Sequence, residues 1–143
     1  MSVKQPYFID SNILLYSIGD DVHKKQIAKQ LVRNTHLIIS TQVLNEFCNV
    51  AFKKKLLTPE QLFVSVDGFR QVFTVMDLTS DLVINALNIK DRYHYSYWDS
   101  LIIATALKSG VSILYSEDMA HSQIIDGKLT IINPFIENWR TDV

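Results

Sequence analysis

A single cysteine, Cys48, leaves no partner for an internal disulfide. Set among apolar neighbours, it reads as a buried thiol of a reducing compartment, which excludes a small disulfide-stapled fold. A surplus of either charge is also missing. A formal balance of −1 carries none of the basic surplus that announces a general nucleic-acid binder. No apolar stretch reaches the length of a membrane span, and no charged start with a long apolar run marks a signal peptide. Repeats, linkers and low-complexity tracts are absent as well. These absences lead us to expect a soluble, cytoplasmic protein. Its 143 residues, 48% hydrophobic, suit one domain with a proper core, spanning 1–143.

Short apolar runs alternate with amphipathic ones. Residues 6–9, 37–39, 72–76, 111–115 and 129–132 are apolar or β-branched apart from Ser112 and predict five strands. Between them, residues 23–33 carry Ile27, Ala28, Leu31 and Val32 on one face, and Val43, Leu44, Phe47, Val50 and Ala51 repeat at helical spacing after Ser40-Thr41. Thr58-Pro59-Glu60-Gln61 is a strong helix start, with Thr as cap, Pro at the first position and Gln as reciprocal partner. Thr79 or Ser80 opens another helix, and Asp126-Gly127 signals a tight turn. Strands that are apolar throughout, alternating with helices, indicate a mainly parallel sheet buried on both faces. The expected fold is therefore α/β, a three-layer α/β/α domain around a mainly parallel five-stranded sheet.

The segment from Ser96 to Leu107 is the most informative. It is an apolar helix with one acid, Asp99, at its entrance; Ser96 is placed as N-cap, Asp99 as its third-position partner, and Gly110 as the C-terminal stop. Asp99 alone could be no more than a cap residue that satisfies backbone donors. Asp10 and Asp118, however, directly follow the first and fourth strands, and Glu46 lies near the start of a helix. In a parallel sheet the working edge is at the carboxyl ends of the strands. Four carboxylates from distant segments can thus meet in one cleft, where mutual repulsion calls for cations or protons. Oxygen donors without adjacent His or Cys suit Mg2+ or Mn2+. Such an ion supports phosphodiester hydrolysis.

In order along the chain, Phe8-Ile9-Asp10-Ser11-Asn12, Asn45-Glu46, Trp98-Asp99-Ser100-Leu101-Ile102-Ile103-Ala104 and Ser116-Glu117-Asp118 resemble the successive motifs of the PIN-domain ribonucleases, and most of all the VapC-type toxins of toxin–antitoxin pairs. The resemblance implies an endoribonuclease dependent on Mg2+ or Mn2+, usually a homodimer, acting on RNA and inhibited by a cognate antitoxin protein. It implies Asp10 and Asp99 as the principal metal ligands, Glu46 as a ligand or water-orienting base, and Asp118 as the fourth acid. Asn12 and Ser116 match positions that support the acids or touch the scissile phosphate. One departure stands out. Many relatives carry a further acid and an aromatic after the fourth motif, where this chain has Met119-Ala120-His121-Ser122. That leaves open whether Glu117 or Asp118 points inward, Asp118 being the match after Ser116, and whether a second metal is held.

Two other functions fit parts of the pattern. A catalytically weak or inactive module that binds RNA or a partner would fit the near-neutral charge and the missing acid. Phosphate-monoester hydrolysis with Asp10 as nucleophile would call for a second acid two residues on, where Asn12 stands. Lys53-Lys54-Lys55 is expected to close a helix and stay solvated. Tyr97 and Trp98, which could stack on bases, are expected in the core or at a dimer contact. His94 and His121 are expected to be loop donors outside the site.

Overall fold

The computed structural model describes residues 5–142. Strand β1 (Phe8–Ile9) is followed by α1 (Ser11–Ser17), α2 (Val22–Val32), β2 (Ile38–Ser40), α3 (Thr41–Lys53), α4 (Pro59–Val72), β3 (Thr74–Met76), α5 (Ser80–Tyr93), α6 (Tyr97–Ser109), β4 (Ile113–Tyr115), β5 (Ile124–Ile125) and β6 (Leu129–Ile132), with a 3-10 turn at Trp139–Asp142. The sheet has six strands in the order β3-β2-β1-β4-β6-β5. Every neighbouring pair is parallel except β5 and β6. The expected three-layer α/β/α architecture is present, and the count of five strands is corrected to six.

The added strand comes from the Asp126-Gly127 turn. Both residues have positive φ, and the Lys128 amide donates to the Ile125 carbonyl at 2.9 Å. Such a turn folds the chain back on itself as an antiparallel hairpin, so two residues before it pair as β5. They are too few to show a period in the sequence. At β3 the boundary also moves: α4 continues through Val72, Phe73 is its extended C-cap, and Thr74–Met76 form the strand.

Local chemistry sets the helices. Thr58 and Gln61 form the reciprocal capping box that the sequence predicts at α4. At α6 the Ser96 hydroxyl accepts from the Asp99 amide at 3.1 Å, and Gly110 takes the left-handed conformation with φ of 83°. A Cβ on Gly110 would meet no atom within 4 Å, so backbone conformation, not space, calls for glycine there. Ser100 to Ala106 are buried without interruption. A helix apolar all round must sit inside the protein, and α6 accordingly joins Phe8, Ile39, Leu114 and Ile131 of the strands in the core.

The chain moves outward from β1 through β2 to β3, then returns to place β4 on the other side of β1. The two loops that leave the carboxyl ends of β1 and β4 therefore diverge, opening a crevice between them. Asp10 is the first residue past β1, and Ser116 the first past β4.

Candidate active site

Asp10 caps α1 and is 5% exposed. One carboxylate oxygen accepts from the Ser11 amide at 2.7 Å, the other from the Ser116 hydroxyl at 2.8 Å. Burial raises its pKa from 3.8 to about 7, with Glu46 and Asp99 adding to the rise and the Ser116 and Ser11 bonds opposing it. The group is held where a negative charge is costly unless a cation or a proton accompanies it.

Asp99 stands in the first turn of α6. Burial raises its pKa, and Asp118 and Glu46 raise it further, while the Ser96 hydroxyl opposes them. Glu46 and Asp99 thus act electrostatically on Asp10, and Asp118 and Glu46 on Asp99. Glu46 lies one turn after Gln42 on α3. The Gln42 amide donates both to a Glu46 oxygen at 3.3 Å and to the Trp98 carbonyl at 3.0 Å, joining α3 to the start of α6. The other Glu46 oxygen is buried without a donor, as is the Gln42 carbonyl oxygen.

Asn12 and Ser116 tie the fourth acid to the first. The Asn12 side chain donates to Asp118 at 3.1 Å and accepts from the Glu117 amide at 3.3 Å. Ser116, which donates to Asp10, accepts from the Asp118 amide at 3.3 Å. Glu117 turns elsewhere: its carboxylate meets the Lys24 ammonium at 2.6 Å and accepts from the Tyr16 hydroxyl. The geometry thus gives Asp118, not Glu117, to the cluster. Gln42, Tyr16 and Lys24 are the residues that sequence reasoning missed. Gln42 was findable, four residues before Glu46 on one helical face, whereas Lys24 and Tyr16 reach Glu117 only through the fold.

The remaining expectations divide. Lys53 to Lys55 are exposed at the end of α3. His94 is the exposed left-handed cap of α5, and the His121 Nδ1 accepts from the Asn133 amide at 3.0 Å. Trp98 is 60% exposed, so the core is not its place; the half-buried Tyr97 packs against it edge-on at 5.1 Å. It projects because α6 buries its interior turns and leaves its first one at the crevice mouth. Cys48 is half-buried, not enclosed, and burial pushes its thiol pKa up.

Among the described residues, no group of three or more His, Cys, Asp or Glu side chains is arranged to hold a metal ion as it stands. The donor chemistry nonetheless fits a hard divalent cation. All four candidates offer carboxylate oxygen, Asp10 is buried at the cost of its charge, and a buried Glu46 oxygen lacks any donor. Ligation would draw carboxylate oxygens that now accept from Ser116, Asn12 and Gln42 toward a shared cation.

A family model for the PIN domain matches residues 7–125. Among solved structures, a toxin–antitoxin complex from Klebsiella pneumoniae superposes with a TM-score of 0.67 at 19% identity, covering 90% of this chain and 97% of that one. VapBC2 from Rickettsia felis, bound to a DNA fragment from its promoter, gives 0.64 at 20% identity over 89% and 97%. The VapC20 toxin of Mycobacterium tuberculosis, which cleaves the sarcin–ricin loop, gives 0.63 at 21% identity over 76% and 86%. A comparison with curated protein sequences finds no match. The structural likenesses speak for the fold, and the family model covers the segments that carry Asp10, Glu46, Asp99 and Asp118: this chain belongs to the PIN domain family.

Proposed function

We propose that this chain is a divalent-metal-dependent endoribonuclease and the toxin of a toxin–antitoxin pair. The observation that carries the reading is the set of contacts that link the acids at this edge of the sheet: Ser116 and Asn12 join Asp10 to Asp118, and Gln42 joins Glu46 to the start of the helix that carries Asp99. Family membership and the toxin–antitoxin complexes among the structural neighbours support it.

Asp10 and Asp99 would hold Mg2+ or Mn2+, with Glu46 and Asp118 completing the oxygen shell or orienting water. Bound there, the ion would acidify a water and offset charge on the phosphate as the P–O bond breaks. Ser116 steadies Asp10, Asn12 steadies Asp118, and Gln42 keeps Glu46 on the crevice side of α3. Glu46, with one oxygen lacking a donor, is the candidate to take a proton from the attacking water. The proposed partners are RNA, a cognate antitoxin protein and a second copy of the chain, in the cytoplasm. No helix among the described residues is long and apolar enough to cross a membrane.

The test is incubation of purified, antitoxin-free protein with structured RNA in Mg2+ or Mn2+, beside a chelator control and Asp99→Asn. Cleavage by the wild type alone, abolished by chelator, is the expected result. Equal cutting by wild type and variant would assign the activity to a contaminant. Tight RNA binding without turnover in either ion would instead favour a binding module.

A further inference from the structure

Glu117 is the acid that the cluster does not use, and its surroundings are built with more care than a solvated side chain needs. Its carboxylate pairs with Lys24 at 2.6 Å and accepts from the Tyr16 hydroxyl. The Lys24 ammonium also donates to the Tyr16 hydroxyl at 3.2 Å and lies 4.6 Å from the centre of the Tyr16 ring and 5.5 Å from that of Phe135. Tyr16 and Phe135 meet edge-on at 4.9 Å. One small cluster therefore ties α1, α2, the turn after β4 and the segment after β6 together. The Lys24 and Glu117 side chains are only 30% and 23% exposed, so the pair is better shielded than an ordinary surface bridge.

Asp118 is the next residue, exposed, and held by one side-chain contact from Asn12. Free rotation of the turn could bring Glu117 to the crevice in its place. We propose that the Lys24–Glu117 pair, seated on Tyr16 and Phe135, is a latch that positions Asp118: it draws Glu117 toward α2 and so fixes the turn with the following carboxylate on the crevice side. Lys24, Tyr16 and Glu117 are positioning residues that touch neither ion nor substrate. The inference rests on the acid cluster being a cation site, and the experiment separates the two.

The variants are Lys24→Met, which keeps the apolar stem over both rings; Glu117→Gln, which keeps an acceptor for Tyr16; the double variant; and Lys24→Arg. Mn2+ affinity is read by calorimetry, backbone exchange across residues 116–119 by hydrogen-exchange mass spectrometry on the metal-free protein, and folding by Tm. Outer partners of metal ligands shift affinity about 10- to 100-fold, and a latch one contact further out should shift it about three- to tenfold. Both single variants should weaken Mn2+ binding by that factor and speed exchange across the turn. Their Tm should stay within about 3 °C of wild type. The double variant should be no worse than either single one, because both break the same pair, and Lys24→Arg should restore the wild-type values. Unchanged exchange in Lys24→Met overturns the latch whatever the metal does. Weakened binding in Glu117→Gln with none in Lys24→Met overturns it too, by making Glu117 itself a ligand. If the wild type binds no Mn2+, the cation reading fails and exchange alone decides the latch.

Discussion

Replacing Asp10 with Asn should make the metal-free protein more stable at pH 8 and leave it nearly unchanged near pH 4. The reason is the sign of its ionisation. Burial lifts the Asp10 pKa from 3.8 to about 7, so the folded chain keeps a proton that the unfolded chain has already released. The stabilisation from that proton is complete below the unfolded pKa and is lost as pH rises through the folded one. Between about pH 4 and pH 7 the wild type therefore loses stability, and above that the loss levels off. At 1.36 kcal/mol per pH unit the interval is worth about 4 kcal/mol, an upper figure because the crevice can admit water. Asn is nearly isosteric, can still accept from the Ser11 amide, and can donate to the Ser116 oxygen. For a chain of this size about 4 kcal/mol is roughly 10 °C in Tm. Urea denaturation of both proteins in chelator, from pH 4.5 to 8.5 at fixed ionic strength, isolates the effect, because every other titrating group is shared. A difference between the two proteins that does not change between pH 5 and pH 8 would refute the reasoning. Mg2+ or Mn2+ should narrow the gap at pH 8 by stabilising the wild type.

Further outcomes follow from the same contacts. At a free ion concentration 100 times its Kd, Mg2+ or Mn2+ should stabilise the wild type by about 2.7 kcal/mol, seen as a rise in Tm that Asp10→Asn largely removes. Ser116→Ala leaves a buried Asp10 oxygen without its 2.8 Å donor; equilibrium denaturation should show a loss of about 1–3 kcal/mol at pH 8. Gly110→Ala forces a residue with a Cβ to a φ of 83° and should cost about 1 kcal/mol, with the RNA-cleavage rate unchanged. Thr58→Ala removes the cap of α4, far from the crevice, and should likewise cost about 1 kcal/mol in denaturation with cleavage intact.

The sequence by itself determined the layer order and the helix ends. Continuous apolar strands can be buried only between two helical layers, and the caps at Thr58, Ser96 and Gly110 act through neighbours within a few residues, so their chemistry is legible locally. It also singled out Asp10, Glu46, Asp99 and Asp118, because Asp10 and Asp118 follow apolar strands, Asp99 stands in the first turn of a helix and Glu46 in the second turn of another. Tertiary structure alone decided how those acids are held. The choice of Asp118 over Glu117 depends on Lys24, 93 residues away in the chain, and on Asn12, 106 residues from Asp118. The two-residue strand β5 exists only because β6 offers an edge to pair with. The exposure of Trp98 follows from which turns of α6 the sheet covers. Local sequence fixes what depends on bonds within a turn or two, whereas partners across the crevice are chosen by the folded path of the chain, which brings together groups that no spacing in the sequence relates.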